Sequence, residues 1–404
     1  MNQRYFFIFG NHPALAMAEI LAVARADKID LTIDYSNDEF VILSSDKDIG
    51  IDFFDQLGGS QKYGEIKAMD HDVETDGWPQ WLQPNSKEER FNFGISLYGQ
   101  TAKAKQQPLF KLGLTEKKRW RQAGFSVRLV QSREPALSSV IVKKENIITK
   151  GAELVCLLAD DLSWLGQTLA VQDFDNFSRR DYGKPARDSH SGMLPPKLAR
   201  MMLNVSSGDK DKILLDPFCG SGTILLEAMS LDWYKIQGSD QSAKAVADTI
   251  QNTNWYKEDI NYQGELSVRQ LTVENLVEHW SGDRLHTVVT EPYLGPPHTR
   301  PLPEQVAADL VAELTALYQR ALGSLAQIMP AGAVLVMIIP VLSGQRNMHY
   351  LSLAKIASSE QWHLAWPGQS QWEHLSSWQG ERQSFLYKRS HQVVQREIVR
   401  WRRL

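Results

Sequence analysis

The sequence has few of the features that mark extracellular, membrane or metal-binding proteins. Only two of its 404 residues are cysteines, Cys156 and Cys219, too few for a disulfide framework, which favours a reducing cytoplasm. No stretch approaches the roughly 18 apolar residues of a membrane-spanning helix, and the apolar start at residues 4–10 is too short for a signal peptide. The ten histidines show no ligand spacing, so we predict no structural metal.

Charge is distributed unevenly along the chain, although the net charge is only −4. Residues 21–80 carry 5 basic and 14 acidic side chains, whereas residues 101–150 carry 12 basic and 3 acidic ones. A basic segment within an acidic protein is typical of a localised phosphate-binding surface, although a solvated helix face has the same composition. The candidate phosphate contacts are Lys103, Lys105, Lys117, Lys118, Arg119 and Arg121.

Hydrophobic periodicity predicts three domains and one linker. Residues 1–72 and residues 73–165 each combine strand and helix patterns, which indicates two small α+β domains, and residues 138–159 are predicted as two strands joined by a turn. The polar residues 166–190 are interpreted as an irregular linker. Strands and helices alternate over residues 191–404, which predicts an α/β domain with a mostly parallel, doubly wound, Rossmann-like sheet.

The most informative stretch is LLDPFCGSGTILLEA, residues 214–228, in which an apolar strand ends at Asp216 and a glycine loop leads into a helix. Open α/β sheets bind ligands at the carboxyl ends of their strands, and Gly220 and Gly222 let the backbone approach a ligand closely. Leu225 occupies the third glycine position of a dinucleotide loop, and no lysine follows Gly222, so neither the dinucleotide nor the P-loop fingerprint fits. An acid at the strand end favours a positively charged ligand instead.

The pattern D-P-F-x-G-x-G-T resembles the S-adenosylmethionine loop of class I methyltransferases, which implies that Asp216 faces the ammonium group of that cofactor. The same resemblance places around the cofactor Phe218, Gly220, Ser221, Gly222 and Thr223. Asp240 ends the next predicted strand, at the spacing at which a cofactor ribose is bound, although it also suits the N-cap of the following helix. Gln270 or Thr272 stands where a third acid contacts the adenine in such enzymes. Cys219 has no neighbouring base and is interpreted as a loop residue rather than a nucleophile.

Residues 290–293, with the sequence T-E-P-Y, end a predicted buried strand in an unusual way. Methyltransferases that act on amino groups carry [DNS]-P-P-[YF] here, because acceptors must hold the N–H groups of a weakly nucleophilic amine while an aromatic ring stacks on the extruded base. Thr290 occupies the position of the usual acid, and Glu291 occupies that of the first proline. We expect Glu291 and the Pro292 carbonyl to be the acceptors and Tyr293 to be the stacking residue.

Together with GMLPPKLARMMLNV just upstream, these motifs resemble the tRNA guanosine-10 N2-methyltransferases of archaea and eukaryotes and their bacterial relatives. That resemblance implies a ferredoxin-like domain for residues 1–72 and a THUMP domain for residues 73–165, which in that family grip the acceptor end of tRNA. It also places Pro195, Pro196 and Lys197 near the methionine end of the cofactor.

The implied function is methyl transfer from S-adenosylmethionine to the N2 amine of a guanosine in tRNA, at position 10, directly and without a covalent intermediate. The expected location is the cytoplasm, and the sequence gives no indication of a protein partner. Two alternatives stay open. One is a DNA amino-methyltransferase acting on adenine N6 or cytosine N4, against which the THUMP-like half argues, and the other is a catalytically inactive RNA-binding relative, which the displaced acid favours.

Overall fold

A computed structural model describes residues 3–69, 81–84, 86–159, 162–187, 193–280, 285–358, 360–389 and 392–404. The chain divides into two compact units, the first formed by residues 1–16 and 24–174 and the second by residues 17–23 and 175–404. The predicted domain boundaries after residues 72 and 190 lie outside the described residues.

The described residues of the N-terminal half of the chain form eight strands and four helices. The strands are β1 Gln3–Phe9, β2 Leu31–Ser36, β3 Phe40–Ser45, β4 Ser60–Met69, β5 Phe91–Tyr98, β6 Val127–Val130, β7 Gly151–Leu158 and β8 Ser163–Val171. The helices are α1 Pro13–Ala26, α2 Ile51–Asp55, α3 Ala102–Gln122 and α4 Ser139–Lys144. The eight strands form one sheet in the order β2-β3-β1-β4-β8-β7-β5-β6. Because β4 pairs with β8, strands from both predicted N-terminal domains lie in this single sheet.

The prediction of two strands over residues 138–159 is wrong in its first half. Ser139–Lys144 forms the helix α4, and only the second half forms a strand, β7. The β-branched side chains of this segment favoured a strand. The helix forms because Ser138 accepts a hydrogen bond from the Ile141 N–H as its N-cap and because Val142 is buried in a small apolar cluster.

The segment predicted as an irregular linker is largely regular instead. The strand β8 extends to Val171, and the helix α5 spans Phe174–Tyr182. The inward face of α5 includes Arg180, which is buried and paired with Glu227. A buried ion pair replaces part of the apolar stripe by which a helix is ordinarily detected in a sequence, so the pattern looked irregular.

The second unit holds the predicted α/β sheet. Its strands are β9 Ile213–Asp216, β10 Lys235–Asp240, β11 Glu265–Gln270, β12 Leu285–Thr290, β13 Val334–Ser343, β14 Met348–Tyr350, β15 Trp362–Leu364, β16 Trp378–Gln379, β17 Ser384–Tyr387 and β18 Val394–Arg403. Its helices after α5 are α6 Pro196–Ser206, α7 Thr223–Ser230, α8 Ala243–Ile260, α9 Leu276–His279, α10 Glu304–Ile328 and α11 Leu353–Ile356. No helix among the described ranges combines the length and apolarity needed to cross a membrane.

The main strand order of this sheet is β11-β10-β9-β12-β13-β18-β17-β16. The first five strands of this order are parallel to one another. The strand β18 pairs antiparallel with β13, and β17 pairs antiparallel with β18. The chain moves outward from β9 to β11 and then returns to the other side of β9 with β12. This reversal brings the carboxyl ends of β9 and β12 side by side, which is where open α/β sheets bind their ligands.

Candidate functional site

The candidate site is a cleft of about 840 Å³ in the second unit, at the carboxyl ends of β9, β10 and β12. This volume lies within the range of small-molecule sites. Four loop segments supply most of the wall, residues 216–221, 240–242, 271–274 and 291–298. The glycine loop and the T-E-P-Y loop, which the sequence predicted as a pair, therefore face one cavity.

The glycine loop depends on two residues with left-handed backbone. Gly220 has φ of +53° and Gly222 has φ of +84°, a region that disfavours side chains. A Cβ atom on Gly222 would lie 3.0 Å from Cγ2 of Thr249, whereas a Cβ on Gly220 would meet no atom within 4 Å. Gly222 therefore permits close packing against α8, and Gly220 leaves space on the ligand side of the loop.

Asp216 is buried at the end of β9, and its Oδ1 atom accepts hydrogen bonds from the Thr290 hydroxyl at 2.6 Å and the Phe218 N–H at 3.1 Å. Burial raises the pKa of this carboxyl to about 7, although both hydrogen bonds act in the opposite direction. A buried carboxylate of this kind is stabilised by a neighbouring positive charge. Its chemistry therefore suits a cationic ligand group.

Asp240 connects the end of β10 to the glycine loop. Its Oδ2 atom accepts a hydrogen bond from the Gly220 N–H at 3.1 Å, and its Oδ1 atom accepts one from the Ser242 N–H at 2.9 Å. The N-cap of α8 is Ser242, whose side chain accepts from the Ala245 N–H. The capping alternative for Asp240 is thereby excluded, and a carboxylate has lone pairs left for ribose hydroxyls.

Five residues predicted near the cofactor do not line the cleft, namely Pro195, Pro196, Lys197, Gly222 and Gln270. Gln270 is exposed and donates a hydrogen bond to the Gln241 carbonyl, whereas Thr272 lines the cleft. Pro195 and Lys197 are also absent from the lining, and Lys197 Nζ lies 5.5 Å from the centroid of the Phe177 ring. Their place in the wall is taken by the preceding residues Met193 and Leu194.

Sequence reasoning missed Lys184, a buried residue that supports the glycine loop. Its Nζ atom donates hydrogen bonds of 3.1 Å to the side-chain oxygens of Ser221 and Thr223, and burial lowers its pKa to about 8. Asn252 also holds this loop, since its Nδ2 atom donates to the Ser221 carbonyl at 2.8 Å. The segment around Lys184 was interpreted as a linker, and no motif marks it.

The T-E-P-Y loop turns its four residues in different directions. Thr290 is fully buried and donates to Asp216, so it does not present an acceptor to the cleft. Glu291 and Pro292 line the cleft, and Oε1 of Glu291 accepts a hydrogen bond of 2.6 Å from Nε of Arg396. Tyr293 is 51% exposed, and its carbonyl accepts a hydrogen bond from the hydroxyl of Tyr318.

Cys219 lines the cleft, but its surroundings do not favour a reactive thiolate. Its side chain is buried, and burial raises the pKa of the thiol well above its usual range. A thiol held in its neutral form is a poor nucleophile. The interpretation of Cys219 as a loop residue is supported.

The basic residues of the first unit lie on α3. Lys103, Lys118, Arg119 and Arg121 are exposed, and Lys105 and Lys117 are half-buried. Arg119 forms a 2.8 Å ion pair with Glu116. The opposite side of the helix packs on the sheet through Trp120, whose ring lies edge-on to that of Phe93. The helix thus presents a basic face to solvent.

Metal-ligating side chains do not cluster in the part of the chain that the structure describes. No group of three or more His, Cys, Asp or Glu residues there has the geometry to hold an ion. The acceptors of the cleft, Asp216, Asp240 and Glu291, are each engaged with hydrogen-bond donors of the protein.

Two family models match the chain. The UPF0020 family, described as an RMKL-like methyltransferase domain, matches residues 184–362, and the DNA methylase family N6_N4_Mtase matches residues 79–252. The first match contains both loops of the cleft, whereas the second ends before the T-E-P-Y loop.

Relatives and a solved structure agree with the first match. The tRNA (guanine(10)-N2)-dimethyltransferase of Methanothermobacter thermautotrophicus is 36% identical over 101 residues, which is 25% of this chain and 29% of that protein. The enzyme of the same name from Methanocaldococcus jannaschii is 27% identical over 171 residues, 40% of this chain and 47% of that protein. The chain therefore matches less than half the length of each relative. The crystal structure of TrmN from Thermus thermophilus is similar with a TM-score of 0.55, at 15% identity, over 99% of this chain and 100% of that one.

The fold is of the Rossmann-like class I methyltransferase type, which confirms the predicted fold class. The UPF0020 methyltransferase-domain model matches residues 184–362, and the resemblance to tRNA guanosine-10 N2-methyltransferases is borne out over the stretches that match. The THUMP-like character of residues 73–165 stays a prediction.

Proposed function

We propose that this protein transfers a methyl group from S-adenosylmethionine to the exocyclic N2 amine of a guanosine in tRNA, at position 10. The observation that carries the proposal is the cleft in which the glycine loop, with Asp216, lies opposite the T-E-P-Y loop, with Glu291. Both curated relatives are named for methylation of the same tRNA atom.

The residues of the glycine loop fit the cofactor chemically. S-adenosylmethionine carries an ammonium and a sulfonium group, and it supplies the methyl group when bound. The buried carboxylate of Asp216 suits the ammonium, and Asp240 suits the ribose hydroxyls. The remaining cofactor contacts would come from the loop and the start of α7, namely Phe218, Gly220, Ser221 and Thr223, whereas Gly222 would shape the loop by packing against α8.

The T-E-P-Y loop would hold the guanine base. Tyr293 is exposed at the cleft and offers a ring for stacking, and the Pro292 carbonyl and the Glu291 carboxylate offer acceptors for the two N–H bonds of the amine. Burial raises the pKa of Glu291, so this carboxylate takes up the departing amine proton more readily than an exposed glutamate does. Thr290 would support the loop through its hydrogen bond to Asp216 and would not contact the base.

The basic face of α3 would contact the tRNA backbone. Its exposed lysines and arginines lie on one helix, and phosphate contacts of this kind supply affinity without sequence specificity. The proposed location is the cytoplasm, where tRNA is abundant and where Cys156 and Cys219 would stay reduced, as both are free and buried.

A DNA amino-methyltransferase is the second candidate, since the DNA methylase family matches residues 79–252. That match lacks residues 290–293, which would hold the target base. Purified protein should therefore be incubated with tritiated S-adenosylmethionine and either unmodified bulk tRNA or duplex DNA. Label in tRNA alone supports the proposal, and label in DNA alone supports the second candidate. Cofactor binding without label in either substrate would point to an inactive RNA-binding protein.

A further inference from the structure

We propose that Arg396 is a positioning residue that holds Glu291 for the reaction and thereby compensates for the displaced acid of the T-E-P-Y loop. This inference rests on the function proposed above, because it assigns Glu291 to the amine. It adds a residue from the last strand of the sheet, 105 positions away in the sequence, to the site.

The guanidinium of Arg396 is itself well fixed. Its side chain is only 4% exposed, and its Nη1 atom donates a hydrogen bond to Oε1 of Gln392 at 3.2 Å. The backbone of Arg396 lies in β18 between two neighbouring strands, opposite Pro340 of β13 and Tyr387 of β17. A charged donor anchored in the middle of a sheet can hold a carboxylate in one orientation.

The two oxygens of Glu291 have different roles in this arrangement. Oε1 accepts the 2.6 Å hydrogen bond from Nε of Arg396, whereas Oε2 receives no hydrogen bond from the described residues. The Glu291 side chain lines the cleft and is 14% exposed, so Oε2 is reachable by a ligand. The geometry thus reserves one oxygen for the protein and the other for a substrate N–H.

The need for such an anchor follows from the strand geometry. The strand β12 ends at Thr290, whose side chain turns inward to Asp216, so the acid one place later lies in a loop outside the strand pairing. A glutamate also has one more rotatable bond than the aspartate of the usual motif, and fixing it costs more side-chain entropy. A charge-assisted hydrogen bond from Arg396 restrains that freedom.

Several charged or titratable groups act on the Glu291 carboxyl. Arg396 of β18 and, at longer range, Arg389 after β17 both lower its pKa against the effect of burial. The negative charge of Glu291 in turn raises the pKa of Asp216 of β9 and the pKa of Tyr318 of α10. Removing Arg396 should therefore raise the pKa of Glu291 and move the acid limb of the activity profile to higher pH.

The test compares wild type with Arg396→Gln, Arg396→Lys and Arg389→Gln as tRNA methyltransferases across pH. Loss of the anchor in Arg396→Gln should lower kcat by about 100-fold, in the range of a small misplacement of a catalytic group, with cofactor affinity changed less than about twofold. Arg396→Lys should keep the acid limb near its wild-type position and recover part of kcat. Arg389→Gln also removes one positive charge, but from a residue that acts on Glu291 only at longer range. This variant should therefore lower kcat by less than about threefold.

A double substitution separates positioning from general disruption. If Arg396 acts through Glu291, Arg396→Gln combined with Glu291→Gln should be no slower than Glu291→Gln alone. Fully additive losses, or an Arg396→Gln enzyme with wild-type kcat and pH profile, would overturn the inference. If Arg396→Gln does not fold, Arg396→Lys provides the test. A partly reduced kcat with an acid limb near its wild-type position supports the inference, and a kcat and pH profile equal to those of wild type overturn it. A wild-type protein that labels no tRNA would instead refute the proposed function.

Discussion

The Thr290 hydroxyl donates a 2.6 Å hydrogen bond to Oδ1 of Asp216, across the point where β9 and β12 lie side by side. Thr290, at the end of β12, thus connects the T-E-P-Y loop to the glycine loop. This contact explains how a threonine can stand there while the acid moves to the next position. The negative charge of Glu291 also raises the pKa of Asp216, so the two acids of the cleft influence each other.

Thr290→Val should weaken cofactor binding because it removes a donor to a buried carboxylate. Losing this hydrogen bond raises the pKa of Asp216 further, so less of the carboxylate is ionised at pH 7. We expect about a tenfold loss of S-adenosylmethionine affinity at pH 7 and a smaller loss at pH 8.5, measured by calorimetry. Thr290→Ser keeps the hydroxyl and serves as the control. Equal affinities for the valine and serine variants would contradict this role.

Asp216→Asn should stabilise the protein without cofactor and weaken cofactor binding. The pKa of Asp216 is raised to about 7 in the folded protein, so ionisation of this carboxyl destabilises the folded state. This destabilisation is absent below about pH 4, where the unfolded chain is also protonated, and it increases between about pH 4 and pH 7. Above about pH 7 it is complete. The asparagine Oδ1 can still accept both hydrogen bonds. We expect the gain in Tm to be larger at pH 8 than at pH 5, and S-adenosylmethionine to raise the Tm of wild type only. A variant less stable than wild type at pH 8 would argue against this.

Lys184→Met should loosen the glycine loop. The substitution removes two hydrogen bonds, to Ser221 and Thr223, and we expect about a tenfold weaker affinity for S-adenosylmethionine. Lys197→Met is the matched comparison, since the sequence predicted Lys197 at the cofactor whereas the structure places it over the Phe177 ring. Calorimetry on both variants tests the two placements. A larger loss for Lys197→Met would favour the sequence-based assignment.

Charge reversal on α3 should weaken tRNA binding without affecting the cofactor. In Lys103→Glu/Lys118→Glu, two exposed cations become anions, so tRNA affinity should fall and its salt dependence should become shallower. Lys28→Glu/Lys47→Glu makes the same charge change at exposed positions within the acidic segment. Filter binding at several salt concentrations distinguishes them. Equal effects of the two pairs would indicate only a response to net charge.

Much of the site could be predicted because its residues form local patterns. Asp216, Gly220 and Gly222 lie within seven residues of one another, and a strand-loop-helix unit fixes their geometry. The T-E-P-Y loop was likewise readable as the end of a buried strand.

The partners of these loops could not be predicted, because their contacts are distant in the sequence. Lys184 is 37 residues from Ser221, and Arg396 is 105 residues from Glu291. The tertiary fold brings them together, through the sheet for Arg396 and through the segment after α5 for Lys184. The strand predicted at the position of α4 is also wrong, because an N-cap and local burial outweigh the strand preference of β-branched residues.

The proposed reaction is tested most directly by nucleoside analysis of unmodified tRNA after incubation with S-adenosylmethionine and either wild type or Glu291→Ala. We expect N2-methylated guanosine, at position 10, with wild type and its loss with the variant. The same chromatogram separates the mono- and dimethylated nucleosides. N2-methylated guanosine formed equally by both proteins would contradict the role of Glu291, and its absence with wild type would contradict the proposed reaction.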